Sequence, residues 1–256
     1  MKYTSYFGLI FITISYYMAW EYLWGVHWHE ITYLPLVFGY CSMLRALFTS
    51  AGDIKSKLIP QEEVTGQQQE FIDTYTKHGF LKPSRAHYSN KTKRMIMDFD
   101  HYCFWLGNDI GIFNYRYFIQ FVAWTFYNCL FVFFDTFKML CGCIYQKDYW
   151  SCNMIIHHKI IIIGLFFITF LIGMMAFALL RDIYTTFKTG WGIVDRLKNK
   201  EKVVKNNLWN IYFGKNILYW LLPLNNNVTI KFRFRNQQRK CGQILENQDL
   251  KIDYKY

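Results

Sequence analysis

Four consecutive residues, Asp100, His101, Tyr102 and Cys103, bring a carboxylate, an imidazole and a thiol close together. A free thiol has a pKa near ~8.5, so only a few per cent of it is thiolate at neutral pH. A neighbouring imidazole can accept the thiol proton, and a carboxylate can fix the tautomer of that imidazole and stabilise its cation. The stretch therefore predicts a cysteine nucleophile, Cys103, with His101 as its general base and Asp100 orienting His101.

A cysteine close to a histidine is often coincidental, so the flanking residues matter. They form three groups at fixed separations from Cys103: Lys82, Pro83, Ser84 and Arg85; Phe104 and Trp105; and Asn108, Gly111, Asn114 and Phe118. The whole pattern resembles the cysteine-rich domain of the DHHC family, the membrane-embedded protein S-acyltransferases. The family pattern runs K/R-P-x-R, then D-H-H-C-P-W, then N-C-x-G-x-x-N-x-x-x-F, and its separations are kept here without a gap.

The resemblance implies a chemistry and a donor. Cys103 would attack the thioester of palmitoyl-CoA, carry the palmitoyl group as a thioester intermediate, and pass it to cysteines of substrate proteins near the membrane. It also implies supporting residues: Trp105, Asn108, Asn114, Thr186 and Asn216. Thr186 belongs to a Thr-Thr-x-Glu motif, here with Lys188 in place of the Glu, and would contact the active-site aspartate. Asn216 would bond to the membrane spans.

The metal ligands of the family are missing. The family domain holds two zinc ions through six cysteines and two histidines, and the corresponding positions here carry Tyr75, His78, Tyr88, Ser89, Thr92, Met95, Tyr102 and Asp109. Only His78 is an ordinary zinc ligand, and it has no partners at tetrahedral-site spacing. We therefore expect no zinc. Packing and hydrogen bonds should replace its contribution to folding, with Tyr75, Tyr88, Met95 and Tyr102 filling the space.

Composition and hydropathy predict a membrane protein. The 256 residues are 53% hydrophobic and 21% aromatic, and four runs, 3–20, 31–52, 117–137 and 160–180, carry at most one charged side chain each. About twenty apolar residues span a bilayer core as a helix. Buried core helices are the alternative, but four such runs favour membrane spans. The first run is longer than a typical signal-peptide core, which favours a retained anchor.

The expected fold is α-helical and integral to the membrane, with four transmembrane helices and a small cytosolic, loop-rich DHHC-type domain between helices 2 and 3. Four regions follow from this: residues 1–52 with helices 1 and 2, 53–116 as the catalytic domain, 117–181 with helices 3 and 4 and a short lumenal loop, and 182–256 as a basic tail. The tail includes the Thr-Thr motif and an interfacial segment around Trp220.

The charge distribution predicts the orientation. Nine Lys and Arg residues lie in 53–116 and fifteen lie from Arg181 onward, whereas the connection 21–30 has none. The positive-inside rule then places both termini and the central domain on the cytosolic side of the membrane. We expect that membrane to be an endomembrane, such as the ER or Golgi. The net charge of +11 is mostly this topology signal. No basic-aromatic nucleic-acid module accompanies it, so we expect no nucleic-acid partner.

Basic residues around the candidate site have two interpretations. CoA carries phosphates, and its candidate partners are Lys82, Arg85, Lys91, Lys93 and Arg94. The same cations also satisfy the positive-inside rule, and for any one of them that simpler explanation is favoured. A domain without zinc could also need an accessory subunit to steady it.

Two other functions compete with acyl transfer. A pseudoenzyme that acts as a membrane scaffold or chaperone is favoured by the missing zinc ligands, by Phe104 in place of proline and by Lys188. The intact D-H-x-C favours an active enzyme, and the DHYC variant also resembles the ankyrin-repeat branch of fungal acyltransferases, although no ankyrin repeats are present. A transporter would explain Arg45 and Asp135 inside spans, but both lie near span ends and can reach the interface.

Overall fold

The computed structural model describes residues 29–53, 86–144, 156–190, 192–194, 208–214, 218–224, 230–232 and 250–252. The first apolar run lies outside these residues. So do several residues singled out in the sequence: Tyr75, His78, Lys82, Arg85 and Asn216.

Three helices dominate the described part of the chain: α1 (His29–Phe48), α2 (Tyr115–Ile144) and α3 (Ile156–Thr189). The stretches Tyr115–Gly142 and Ile160–Thr189 are long and apolar enough to cross a membrane, and α1 contains a shorter apolar stretch, Leu34–Phe48. The described residues thus confirm a mostly helical protein with two candidate membrane-spanning helices.

Both long helices extend past the apolar runs that predicted them. α3 continues to Thr189, so Thr185 and Thr186 lie inside the helix and not in the tail that follows it. The Thr185 hydroxyl donates to the carbonyl of Arg181 at 2.9 Å, which satisfies it within the helix. The helix ends at Gly190, whose positive φ of 75° and N–H bond to Thr186 O form a glycine C-cap.

The three long helices pack in a row, with α2 between α1 and α3. Aromatic side chains form much of the contact: Phe38 of α1 lies 5.6 Å from Trp124, and Phe133 stacks on Phe166 of α3 at 4.8 Å between ring centroids. The outer face of α3 exposes large apolar side chains, including Leu171 at 66%. Apolar exposure on this scale suits contact with lipid.

The region expected to be loop-rich contains two small antiparallel hairpins. Strands β1 (Ala86–Ser89) and β2 (Arg94–Met97) form the first, and β3 (His101–Cys103) and β4 (Asn108–Ile110) form the second. A further pair, β5 (Ile230–Phe232) and β6 (Leu250–Ile252), lies in the C-terminal region.

The hairpins are tied to the end of α1 by backbone contacts. Met97 N–H donates to Gly52 O and Met97 O accepts from Ile112 N–H, each at 3.0 Å. A Cβ on Gly111 would lie 2.4 Å from the carbonyl oxygen of Ala51 and 2.9 Å from that of Met97. Only glycine fits here, because neither neighbouring backbone can move away without breaking this junction.

Two short helices, α4 (Leu208–Phe213) and α5 (Leu218–Leu221), follow α3 in the described residues. The side-chain amide of Gln120 on α2 donates to the carbonyls of Tyr219 at 2.9 Å and Leu222 at 3.0 Å. These bonds satisfy carbonyls at the end of α5 and attach residues 218–224 to α2.

Arg116 also holds this segment. It was counted above among the cytosolic cations, but only 5% of it is exposed. Its guanidinium donates to the carbonyl of Leu224 and lies over the rings of Tyr117 and Tyr219, 4.7 Å and 5.5 Å from their centroids. Arg116 is therefore a buried structural cation.

Candidate active site

Strand β3 carries two of the three predicted catalytic residues, His101 and Cys103, and we call it the reactive strand. Cys103 is buried, with 5% of the residue exposed, in the hydrophobic core where the hairpins meet the helices. His101 Nδ1 lies 3.0 Å from Asp100 Oδ2, and the imidazole also hydrogen-bonds Cys103. The structure therefore brings the three predicted catalytic residues into one connected group.

The environment of His101 favours its protonated form. Burial lowers the pKa of the imidazole, but hydrogen bonds to Asp100 and Cys103, together with their negative charges, outweigh it and raise that pKa from 6.5 to about 9. The proton consequently resides on His101 at neutral pH, and the imidazolium faces both a carboxylate and the sulfur.

Asp100 is fixed from several sides. It is 5% exposed, and besides His101 its carboxylate accepts the backbone N–H of Ile193, at 3.3 Å from Oδ1. Its own N–H donates to Ile110 O at 2.9 Å. Thr186, expected from the resemblance to contact this aspartate, is buried at 4% exposure in the last turns of α3, and that contact stays a prediction.

The first turn of α2 supports the imidazole. Phe118 meets the His101 ring edge-on, with 5.1 Å between centroids. Tyr115, one turn earlier, stacks parallel to Phe187 of α3 at 6.4 Å and packs against Tyr212 of α4 at 4.9 Å. The His101 ring thus packs against an aromatic layer to which three helices contribute.

Immediately after Cys103 the chain turns and exposes two aromatic residues. Gly107, at φ 61°, donates its N–H to Cys103 O at 2.8 Å and closes the turn. Phe104 is 54% exposed and Trp105 40%, and their rings meet edge-on at 6.2 Å. The buried sulfur is therefore bordered by exposed apolar surface.

Asn108, predicted only as a supporting residue, acts on α1. Its side-chain amide donates to the carbonyls of Ala46, Leu47 and Thr49 at 3.2, 3.0 and 3.1 Å. The last carbonyls of a helix have no partner within it. Asn108 supplies that partner, and Cys103 lies directly opposite it in the β3–β4 pairing.

Asn114 makes a second, deeper bond to the same helix end. It is 0% exposed; its amide donates to Ala46 O at 3.2 Å and Asp109 O at 2.8 Å, while its oxygen accepts Gly111 N–H at 2.9 Å. The two asparagines together join the reactive hairpin to α1.

The residues at the family's zinc positions do not fit a zinc ion. Ser89 Oγ donates to Asp109 Oδ1 at 2.7 Å, and the Thr92 hydroxyl donates to Oδ2, so hydroxyl donors occupy both carboxylate oxygens. Tyr102 lies opposite Asp109 across the hairpin. Hydroxyls and a phenol are poor substitutes for the thiolates and imidazoles that zinc prefers. Within the described ranges no three His, Cys, Asp or Glu side chains cluster as metal ligands do.

The expected filling of this region is partly different. Tyr88 and Met95 do lie opposite each other in the first hairpin, as replacements for metal ligands could. The hydrogen bonds, however, centre on Asp109, which sequence reasoning did not select. A usable signal was present, because Ser89, Thr92 and Asp109 all occupy former ligand positions and are all hydrogen-bonding types.

The surroundings of Tyr102 change the pKa of its phenol. Its pKa is raised above the usual 10, first by burial and then by the negative charges of Asp109 and Cys103. Tyr102 therefore stays neutral near Cys103.

The candidate CoA-binding cations divide into two kinds. Lys91 and Lys93 are exposed in the turn between β1 and β2. Arg94, with 49% of its side chain exposed, forms an ion pair with Asp53 at 2.6 Å. Arg94 thus already has a carboxylate partner, whereas the two lysines extend into solvent.

Comparison with known proteins gives a consistent answer. The family model for the DHHC palmitoyltransferase domain matches residues 68–199, just over half of the chain. Palmitoyltransferase PFA3 of Candida albicans is 32% identical over 110 residues, covering 41% of this chain and 29% of that protein. Palmitoyltransferase ZDHHC15 of Xenopus laevis is 26% identical over 211 residues, covering 73% and 62%.

A third relative is palmitoyltransferase AKR1 of Lachancea kluyveri, 29% identical over 170 residues, which cover 60% of this chain and 23% of that protein. The chain thus spans less than two thirds of the length of each of these relatives. The matched region contains both hairpins, the buried Cys103 with its His101–Asp100 partner, and the two apolar helices. Sequence pattern, geometry and family match agree, and the chain belongs to the DHHC palmitoyltransferase family of membrane proteins.

Proposed function

We propose that the chain is a protein S-palmitoyltransferase that uses Cys103 as its nucleophile. The observation that carries this proposal is the buried Cys103 beside an imidazole whose Nδ1 lies 3.0 Å from Asp100. An imidazolium next to a thiol stabilises the thiolate, which is the nucleophilic form. His101 as base and Asp100 as its orienting partner complete the group.

The first step exchanges one thioester for another. The Cys103 sulfur attacks the acyl carbonyl of palmitoyl-CoA, a new carbon–sulfur bond forms, and the bond to the CoA sulfur breaks. The proton that left Cys103 resides on His101 and passes to the departing CoA thiolate. In the second step the thiol of a substrate protein attacks the acyl-enzyme, its proton returns through His101, and Cys103 is regenerated.

A site next to the membrane suits this substrate. Each buried methylene is worth about 0.8 kcal/mol, so a palmitoyl chain strongly favours the bilayer interior over water. Phe104 and Trp105 expose apolar surface next to Cys103, where the first methylenes of the chain can pack. Lys91 and Lys93 are exposed cations that can meet the CoA phosphates.

The finer topology is part of the same proposal. It includes four transmembrane helices, a cytosolic catalytic domain at 53–116 and cytosolic termini. This arrangement puts the Cys103 thiol on the cytosolic side, where acyl-CoA is available. The excess of Lys and Arg in 53–116 and beyond Arg181 supports this orientation. An endomembrane location, substrates with membrane-proximal cysteines and an accessory subunit complete the proposal, with Thr186 and Asn216 supporting the site.

Complete transfer is the test of this function. The purified protein is reconstituted in liposomes with palmitoyl-CoA and a membrane-anchored peptide bearing one cysteine, beside the same peptide with serine. We expect hydroxylamine-sensitive palmitate on the cysteine peptide with the wild-type protein and none with the Cys103→Ser variant. Equal transfer by both proteins would exclude Cys103 as the nucleophile, and no transfer by a folded wild-type protein would favour the scaffold.

A further inference from the structure

Asp109 of strand β4 is a buried carboxylate whose partners are neutral. It is 1% exposed, and its two oxygens accept the hydroxyls of Ser89 and Thr92. We call these three residues the Asp109 cluster. No ion pair to Asp109 occurs in the part of the chain that the structure describes. Burying a carboxylate is costly unless it is hydrogen-bonded, so these hydroxyls are essential to its placement.

The cluster connects the two hairpins. Ser89 ends β1, and besides donating to Asp109 it accepts the Thr92 N–H at 3.4 Å and, through its carbonyl, the Lys93 N–H at 2.9 Å. Lys93 adopts a left-handed φ of 60°. The turn is thus fixed by Ser89, and the whole turn is fixed to β4 by Asp109.

The reactive strand depends on β4 for its position. β3 and β4 contain only three residues each, and the pairing opposes Tyr102 to Asp109 and Cys103 to Asn108. An isolated hairpin of this size is marginal in water. A slip of one residue would turn every side chain of the strand to the opposite face. Something outside the hairpin must therefore hold β4 in place.

We propose that Asp109 is a positioning residue for the reactive strand: the Ser89 and Thr92 hydroxyls fix strand β4, and β4 fixes the register of β3. The cluster performs with hydrogen bonds what a metal ion would perform with coordinate bonds, at positions whose side chains do not fit zinc. The consequence for catalysis rests on the proposed function; the effect on strand position does not.

The test removes the hydroxyls and keeps the shapes. The variant Ser89→Ala with Thr92→Val deletes both donors to Asp109. Its matched control is Ser42→Ala with Thr136→Val, because Ser42 and Thr136 are at least as buried as Ser89 and Thr92 and their hydroxyls bond to carbonyls one turn back in α1 and α2. Both pairs lose two hydroxyls, with Thr92 half-buried and the other three residues buried, but only the first pair loses contact with β4.

Two kinetic quantities separate positioning from folding. In a single-turnover reaction with saturating palmitoyl-CoA, the final amount of thioester gives the fraction of protein molecules that can react. The rate constant shows how well the reacting groups are placed within that fraction. We expect the Ser89/Thr92 variant to have a rate constant about tenfold to a hundredfold lower, as small misplacements of reacting groups produce. The KM for palmitoyl-CoA should stay unchanged, and the control should match the wild type. An unchanged rate constant with only a lower plateau would overturn the proposal.

A measurement without substrate keeps the proposal testable if the protein transfers no acyl group. Hydrogen exchange of the amides in 100–110 reports on β3–β4 pairing. We expect faster exchange there in the Ser89/Thr92 variant, with exchange in α2 unaltered, and no change in the control. If protection of β3 and β4 equals that of the wild type, Asp109 does not position the strand, whatever the protein's activity.

Rescue by the amide completes the design. The Asp109→Asn variant keeps an acceptor for one hydroxyl and has an amide that can donate to the other, whereas Asp109→Ala has neither. If hydrogen bonding is what matters, Asp109→Asn retains most of the hydrogen-exchange protection that Asp109→Ala loses. Equal loss in both variants would attribute the effect to charge and contradict the proposal.

Discussion

Strands β3 and β4 belong to one hairpin, yet their side chains have opposite kinds of partners. On β3, His101 contacts groups that gain and lose protons, and its neighbour Asp100 accepts from it at 3.0 Å. On β4, Asn108 and Asp109 bind helix carbonyls and hydroxyls, which do not titrate near neutral pH. Each strand holds a buried or adjoining carboxylate, so burial alone does not mark a catalytic group. The type of partner distinguishes the strand with the predicted catalytic residues from the strand that holds it in place.

The comparison predicts different consequences of substitution. Variants on the β3 side should change rates and pH dependence while the protein stays folded. Variants on the β4 side and its junction with α1 should first lower stability.

Replacing His101 with Ala should slow acyl-enzyme formation by about a hundredfold to ten-thousandfold, because a positioned proton acceptor contributes that much. The thermal midpoint in detergent should also fall, because the ion pair of the imidazolium with Asp100 is lost, but the rate within the folded fraction should show the larger effect. Single-turnover labelling with palmitoyl-CoA measures the rate. A large loss of stability with an unchanged rate in the folded fraction would reverse the assignment of the two strands.

Replacing Asp100 with Asn should move the alkaline limb of the pH–rate profile for acylation to lower pH. The pKa of His101 is raised from 6.5 to about 9, so the imidazolium is present at neutral pH and is lost as the pH rises through about 9. Its contribution to stability is likewise complete below pH 6.5 and lost on approaching about 9. Without the carboxylate, the pH at which the rate declines should move down toward 6.5. Identical pH profiles for the variant and the wild type would show that Asp100 does not set the charge of His101.

Gly111→Ala tests the junction between α1, β2 and α2. The added Cβ would lie 2.4 Å from the carbonyl oxygen of Ala51, and overpacking of this kind costs about 1–3 kcal/mol of unfolding free energy. Gly164→Ala is the matched control, because its Cβ has no neighbour within 4 Å. Thermal unfolding in detergent compares them, and equal midpoints would mean that the junction tolerates displacement.

Replacing Asn114 should lower thermal stability more than replacing Asn108. Asn114→Ala removes, in a fully buried site, the side-chain donor to Asp109 O and the acceptor of Gly111 N–H. A buried group left unsatisfied costs about 1–3 kcal/mol. Asn108→Ala should cost less, because Asn108 is half-buried and water can replace its amide. Asn90→Ala, in an exposed turn, should have no effect. Thermal midpoints of the three variants establish the order, and a larger loss at Asn108 would contradict the burial argument.

What the sequence could predict follows from how local each interaction is. Asp100, His101 and Cys103 lie within four residues, so their types alone predicted a connected group, and uninterrupted apolar runs predicted α2 and α3. The caps were beyond reach, because Asn108 bonds carbonyls 59 to 62 residues earlier.

The hydrogen bonds that hold β4 were not predicted from the sequence, for the same reason. Ser89 and Asp109 are 20 residues apart, and only their shared place among the family's ligand positions, not their local sequence, connects this hydroxyl with this carboxylate. Similarly, Arg116 has the composition of a surface cation, and only the fold reveals that the segment ending at Leu224 buries it. The predicted catalytic residues are close together in the sequence, whereas the residues proposed to position them are distant from their partners.

Acyl-enzyme formation on Cys103 tests the central claim most directly. The purified wild-type protein and the Cys103→Ser variant are incubated briefly with a clickable palmitoyl-CoA analogue, and the labelled residue is mapped by mass spectrometry before and after hydroxylamine. We expect one hydroxylamine-sensitive label on Cys103 of the wild type and none on the variant. Label on another cysteine that persists in the variant, or no label on a folded wild-type protein, would contradict the account.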